Sequence, residues 1–511
     1  MAQGTRPLHE VAIQLHPADD VAIARLDLAP GLTLQLGRSE IGVRQMIPAA
    51  HKLALRRRKP GDPIRRYGQI IGFATAEILP GDHVHSHNLG IGELGTTYEF
   101  ASELRSVEYE PKASQRTFQG FRRVDGRTGI RNYIAVISSV NCSASVSRYV
   151  AERFRGDAIA RFPRVDGVIA LTHKGGCGAH HGGSEVDLLQ RTLAGFARHP
   201  NIAGYVLIGL GCEVNQIPDI VEHQHLGEPT SLIIQDEGGL LKTVEAGVAA
   251  VAQLLPLAQT FKREDVLASE LTVALQCGGS DAWSGITANP ALGHAVDLLV
   301  AQGGTAVLGE TTEVYGGEHL LTRRAISEAV GLKLLERIEW WKHYTAINGA
   351  EIDNNPTPGN KLGGLTTIYE KSLGAIAKSG TTPLNDVIGY AEPVTSKGFV
   401  HMDTPGFDPV SVTGQVAGGC NLVVFTTGRG SVFGCRPAPT IKVASSDSLY
   451  RRMPEDMDVN AGRILHGAGV REVGEEIFEL MLATASGEQT CSERHGIGEE
   501  EFNPWILGAT L

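Results

Sequence analysis

Residues 133–140 read YIAVISSV, and the chain continues as a helical stretch around SASVSRYVAERF. An apolar run without alternation is a strand buried on both faces, which is the position of a strand in a parallel sheet covered by helices. The same unit recurs on both sides of a Gly-rich turn. GVIALTH (167–173) precedes EVDLLQRTLAGFARH (185–199), YVLIGLG (205–211) stands alone, and LTVALQ (271–276) precedes ALGHAVDLLVAQG (291–303). GTAVLGE (304–310), GFVHMDTP (398–405) and NLVVFTTGRG (421–430) are further strand-then-loop units, and IFELMLATASG (477–487) is an amphipathic helix. Strands alternating with helices predict α/β domains with ligands bound beyond the carboxyl ends of the strands.

Outward from this region the pattern changes. VAIARLDL (21–28), GLTLQL (31–36) and QIIGFATAEIL (69–79) are short runs between Gly, Pro and charged turns, so residues 1–92 read as a small β-rich domain. Residues 93–119 are polar and aperiodic and read as a linker. The expected division is therefore 1–92, linker 93–119, α/β domain 120–265 and a second α/β domain 266–511. On this reading the linker lets the first domain swing over the site and exclude water.

The 511 residues are 42% hydrophobic and 20% charged, with 46 Lys+Arg against 57 Asp+Glu and a net charge of −11. This balance argues against nucleic acid or a membrane surface as partner. No apolar run reaches membrane-spanning length and no apolar signal core opens the chain, so the expected location is the cytoplasm. Seven cysteines are too few for a disulfide scaffold. Free thiols or metal ligands fit better.

Cys142, Cys177, Cys212 and Cys277 each follow one of the four apolar strands, in SSVNCSAS, LTHKGGCGAHHGG, GLGCEVNQ and QCGGSDAWSG. In one parallel sheet they would share a rim, and thiolates so gathered suit Fe²⁺, zinc or an iron–sulfur cluster. The alternative is that Cys is merely small enough for tight strand-to-helix turns. His83, His85 and His87 in GDHVHSHN have the period of a strand face and could ligate a divalent metal, or they mark a hydrated edge strand. The loops GSDAWSGITANP (279–290), PTPGNKLGG (356–364), EKSLGAIAKSG (370–380) and TTGRGSVFG (426–434) combine Gly with amide or charged side chains, as anion-binding loops and ordinary turns both do. A dinucleotide fingerprint, a phosphate-binding GxxxxGK[ST] loop, a GxSxG elbow and HExxH are all missing, which counts against a nicotinamide oxidoreductase, an ATPase or a serine hydrolase.

Several long segments resemble the altronate and galactarate dehydratase family. They are AAHKLAL (49–55), YGQIIGFA (67–74), HVHSHN (83–88), FRRVDGRTGIRN (121–132), GLGCEVNQ (209–216), CGGSDAWSGITANP (277–290), NPTPGNKLGG (355–364), EKSLG (370–374), TTGRG (426–430) and QTCSER (489–494). HVHSHN and QTCSER look like the altronate branch. GSDAWSGITANPALGHAVDLLV, EWWKHY and DVNAG look like the galactarate branch. The resemblance implies an SAF-type first domain ahead of Rossmann-like α/β domains. It also implies a metal-dependent, usually iron-dependent, hydro-lyase that converts a sugar acid to a 2-keto-3-deoxy acid; the expected cofactor is Fe²⁺, with Mn²⁺ or an iron–sulfur cluster as alternatives. A sulfolactate sulfo-lyase shares the architecture, and a non-catalytic sugar-acid or iron-binding protein is the alternative of another class. A homo-oligomer, as a dimer, is expected.

Such chemistry needs a base for the weakly acidic C2 proton, an acid for the leaving hydroxide, and cations for the carboxylate. His173 is the candidate base or metal ligand, with a structural role as its alternative. Lys361 and Arg429 would grip the carboxylate, and Glu213 and Glu310 would bind metal or substrate hydroxyls unless they cap helices. His51, Lys52, Ser280, Asp281, Thr287, Asn289 and Asn360, in the matching segments, are substrate-contact candidates. The metal set is Cys142, Cys177, Cys212 and Cys277 with His85 and His87 delivered by the first domain.

Overall fold

A computed structural model describes residues 5–508 as mixed α/β, with a β-rich first part. That first part carries small sheets of three, three and four strands. Its clearest hairpin joins Pro63–Arg66 to Gln69–Ala74 through Tyr67 and Gly68, both at positive φ (60° and 70°). A two-residue loop with that conformation matches the twist of the strands it joins.

We number the strands of the two parallel sheets. The second domain holds β1 (Tyr133–Ser138), β2 (Gly167–Leu171), β3 (Ile202–Gly209) and β4 (Thr230–Ile233), in the order β2-β1-β3-β4. The third holds β5 (Thr272–Cys277), β6 (Thr305–Leu308), β7 (Leu384–Ile388), β8 (Gly398–Met402), β9 (Leu422–Thr427), β10 (Thr440–Ala444) and β11 (Val459–Asn460), in the order β7-β8-β6-β5-β9-β10-β11. Every pairing in both sheets is parallel.

The four cysteine-bearing strands therefore do not share one sheet. After β4, helix Leu240–Ala258 covers the second sheet, and Arg263–Leu267 pairs antiparallel with Thr117–Arg122. This ribbon hands the chain to a new sheet, where β5 is central. An apolar run records burial on both faces, not which sheet does the burying. Helix Leu240–Ala258 is the one described helix long and apolar enough to cross a membrane, and it packs Val244, Val251 and Leu255 into the second-domain core.

The two α/β domains share a core in which Leu189, Leu193 and Phe196 meet Val412, Val416 and Phe425. Helices Ser184–Ala197 and Asp408–Ala417 touch there, and a Cβ on Gly195 would lie 2.3 Å from the Ala417 carbonyl. Residues 93–119 run along the third domain. The Ala101, Glu103 and Glu110 amides donate to the carbonyls of Thr322, Arg323 and Ala301.

The first domain is anchored rather than free to swing. Lys52 Nζ lies 3.0 and 2.9 Å from the Glu370 carboxylate and donates to the Gly364 carbonyl at 2.7 Å. Arg66 donates to Glu370 at 2.6 Å and to the Ala282 carbonyl at 2.7 Å. All three side chains are at most 1% exposed. Gly364, at φ +95°, passes so close to the first domain that a Cβ would lie 2.4 Å from the Ala50 carbonyl.

Candidate functional site

From β5 the chain steps to β6 on one side, and from β9 to β10 on the other. The crevice between such strands, at their carboxyl ends, is where open parallel sheets bind ligands. Here it is lined by the loops after β5 and β9, which are tied by the Gly428 and Arg429 amides donating to the Gly279 carbonyl at 3.1 and 2.7 Å. The third loop is helix Pro358–Leu362, held by Asn360 donating to the Ser280 carbonyl at 2.9 Å. Above it sits the first domain, whose His85 ring bonds the Lys361 carbonyl at 3.0 Å and whose His51 ring bonds the Leu362 carbonyl at 3.3 Å. These contacts make neighbours of the loops that carry Arg429, Ser280 and Lys361 and of the imidazoles.

These groups are free to act. Arg429 is exposed. No side-chain hydrogen bond is formed by Arg429, Lys361 or His87 among the described residues. The Ser280 hydroxyl is buried without a partner. His51, His83, His85 and His87 form a chain of rings with centroids 5.0–5.5 Å apart. His51 Nδ1 and His83 Nε2 are 2.9 Å apart. Burial, aided by the neighbouring imidazoles, brings His83 down to about 3, and burial brings His85 down to about 4. Both rings are neutral at physiological pH; His83 keeps its Nδ1 unengaged, whereas His85 places Nε2 on the Lys361 carbonyl and Nδ1 3.0 Å from the Ser86 hydroxyl. They reach this position by a route the alternation did not predict. Only His83 and Val84 are strand; Asn88 then accepts from the His85 amide and donates to the His83 carbonyl, and the resulting turn gathers the rings.

Beneath the rim lies a buried polar cluster around Cys277, Glu310 and Glu313, whose ligand atoms all fall within 4.8 Å of one another. Its cation positions are filled by side chains. Lys378 Nζ is 2.8 Å from Cys277 Sγ and 3.7 Å from Glu310, and Lys371 Nζ is 2.6 Å from Glu313. Burial pushes the Cys277 thiol up to about 11. Burial, with Glu313 close by, also raises the Glu310 carboxyl. Lys371 and Lys378 thus stand where a cation would bind these acids, and Cys277 stands apart from the other three proposed thiol ligands. Glu310 sits at φ +64°, its amide held by the Thr404 hydroxyl at 2.6 Å. Lys371 and Lys378, with Glu313 and Glu370, were not singled out from the sequence, although EKSLGAIAKSG was. That segment is not a loop but the buried helix Ile368–Ile376 and the turn after it.

Several candidates hold the site together instead of facing it. Lys52 is spent on Glu370. Asp281 accepts from the Ser284 amide and hydroxyl and from Ser445. Thr287 donates to the Ser445 carbonyl at 2.7 Å, Asn289 bridges Gly374 and Thr426, and Asn360 caps its own helix. His173 has both ring nitrogens engaged, by the Ser138 carbonyl at 2.9 Å and the Gly175 amide at 3.2 Å, so it offers neither a lone pair nor a base. Glu213 accepts from the Ser139 hydroxyl and from the Leu210 and Gly211 amides at 2.6–3.1 Å. These last two brace loops of the second domain, where Cys142, Cys177 and Cys212 are exposed.

Three family descriptions match the chain in sequence: "Altronate/galactarate dehydratase SAF domain" over residues 10–91, "D-galactarate dehydratase/Altronate hydrolase, second domain" over 120–259, and "D-galactarate/Altronate dehydratase, C-terminal" over 268–510. The chain is 36% identical over 498 residues to an altronate dehydratase of Bacillus subtilis (strain 168), covering 95% of this chain and 97% of that protein. It is 35% identical over 497 residues to an altronate dehydratase of Escherichia coli (strain K12), covering 95% and 97%. It is 38% identical over 507 residues to the L-threo-forming galactarate dehydratase of E. coli (strain K12), covering 96% of each.

Proposed function

Since the chain belongs to the altronate/galactarate dehydratase family of hydro-lyases, we propose that it removes water from a six-carbon sugar acid of the altronate or galactarate type. The product is a 2-keto-3-deoxy acid and the reaction needs iron. The observation that carries this reading is the crevice between β5 and β9. It collects two free cations, an unpartnered hydroxyl and a group of neutral imidazoles on one rim. Arg429 and Lys361 bind the carboxylate, where charge builds as the C2 proton leaves. Ser280 donates to or accepts from a substrate hydroxyl. His87, whose ring is free, takes the C2 proton. The hydroxide leaves C3 with a proton as water, and the enol that remains tautomerises to the keto acid.

The imidazole group, with His83 Nδ1 unengaged, suits a ferrous ion better than the Cys277 cluster does, because the latter already holds its own ammoniums. Iron bound there supplies a Lewis acid for the departing hydroxyl. The test is a panel of hexonates and hexarates with ferrous iron and reductant, assayed for 2-keto acid. Product from one or a few stereoisomers is expected; no product from any member, with iron bound, would refute the reading.

A further inference from the structure

We propose that Cys142, Cys177 and Cys212 hold an iron–sulfur cluster at the carboxyl rim of the second-domain sheet, with one iron open to an external ligand. The three loops that carry them follow β1, β2 and β3, which are adjacent in the order β2-β1-β3. From β1 the chain moves to β2 on one side and from β3 to β4 on the other, so the β1–β3 gap is this sheet's own ligand crevice. Adjacent strands are about 4.8 Å apart, so three successive strands spread their loops over about 10 Å, the span of a small cluster rather than of one ion.

The loops are locked to each other. The Asn141 amide donates to the Gly175 carbonyl and the Asn215 amide to the Gly176 carbonyl, each at 3.0 Å. Asn141 Nδ2 reaches the His173 carbonyl at 3.1 Å, and Asn215 Nδ2 the Ser139 carbonyl at 2.8 Å. His173 and Glu213 are the buried braces beneath. Gly176, at φ +95°, lies where a Cβ would meet the Ser139 carbonyl at 2.4 Å. This much fixed polar structure, under three exposed thiols, holds the sulfurs in place. The remaining four cysteines of the chain are buried.

An independent observation points to a ligand. Asn215 is fully buried, lines the cleft beside Gly176 and Cys177, and its Oδ1 has no hydrogen-bond partner. Trp505, Ile506 and Leu507 wall the same cleft with apolar surface. Three thiols serve a cluster of about four irons with one position unfilled, and no fourth exposed thiol exists among the described residues. Thiolate ligation releases one proton per cysteine as each sulfur–iron bond forms.

This site is separate from the imidazole group proposed above for the ferrous ion, and it rests on that reading only in taking iron as the metal. The full chain is incubated anaerobically with ferrous and ferric iron, sulfide and a thiol reductant, then desalted. Iron and acid-labile sulfide are counted, and the visible charge-transfer band and electron paramagnetic resonance are recorded. About four irons with matching sulfide are expected. Cys142→Ser, Cys177→Ser and Cys212→Ser, each checked for fold by circular dichroism, should lose the cluster, and Cys420→Ala should keep it. Iron without sulfide, or a band that survives all three serine substitutions, overturns the proposal. Sugar-acid turnover is assayed on the same samples. A cluster in a protein that turns over no sugar acid supports this site while refuting the substrate reading, and turnover by protein that takes up no cluster under these conditions leaves that reading standing while the failed uptake overturns this one.

Discussion

Replacing Glu370 by Gln leaves Lys52 and Arg66 buried and charged with no anion between them. The wild-type carboxylate accepts from both cations and from the Thr366 amide and hydroxyl, with none of these groups reaching solvent. Burial alone would raise its pKa, but Lys52 and Arg66 outweigh burial and hold it down to about 2. Against an ordinary Glu near 4.5, that is worth about 3 kcal/mol at about 1.36 kcal/mol per unit. Burial in turn brings Lys52 down to about 8 in spite of Glu370. The two shifts oppose, so the triad adds little net stability and is costly only to break, by about 3–5 kcal/mol when one partner is removed. The depressed carboxylate also sets a sign with pH. Its contribution is full above about 4.5 and is lost as pH falls through about 2. Glu370→Gln should therefore release the first domain near neutral pH and abolish that acid-dependent loss. Urea unfolding and limited proteolysis between residues 93 and 119 report the change. The joint replacement Lys52→Met, Arg66→Met and Glu370→Met should recover most of the stability. A Glu370→Gln protein with wild-type unfolding and no new cleavage would refute the view that this triad holds the domain in place.

Arg429→Ala and Lys361→Ala should each lower kcat/KM by about 10- to 100-fold, the loss of one charge-assisted hydrogen bond worth about 1.5–3 kcal/mol, with thermal unfolding unchanged. His87→Ala should reduce kcat with little change in KM. His173→Ala should instead leave kcat intact and destabilise the second domain by about 1–3 kcal/mol, read by denaturation. Gly364→Ala, at positive φ against the Ala50 carbonyl, should loosen domain docking by about 1–3 kcal/mol, seen as faster cleavage of residues 93–119. Because His83 and His85 are held near 3 and 4, cobalt binding at the imidazoles should be flat from about pH 6 to 8 and fall only in stronger acid.

The alternation of apolar strands and helices after residue 130 was legible because burial on both faces leaves no other pattern. Sheet membership was not, since the residues of β1 and β5 are equally apolar and only the intervening ribbon separates them. Within the site, the loop sequences marked the right places but not the right atoms. Asp281, Thr287, Asn289 and Asn360 are polar because tight loops must satisfy their own backbone, and Ser280 beside them is polar with nothing to satisfy. A sequence cannot tell these apart, as the difference lies in which way a side chain leaves the turn. Lys371 and Lys378 were missed for a related reason: a charged residue in a helical stretch reads as solvated, and only packing reveals that both are buried beside acids.

The wall that Trp505–Leu507 builds beside Cys177 has a consequence for biosynthesis. The second domain's family match ends at residue 259, yet one side of its thiol cleft is supplied by residues that leave the ribosome about 250 positions later. At about 5–20 residues per second that interval is roughly 12–50 s. For that time the three cysteine loops are translated and uncovered, with the third domain still unmade. The apolar wall of the cleft is thus the last part of it to be made, whereas the three thiols stay exposed in the finished fold.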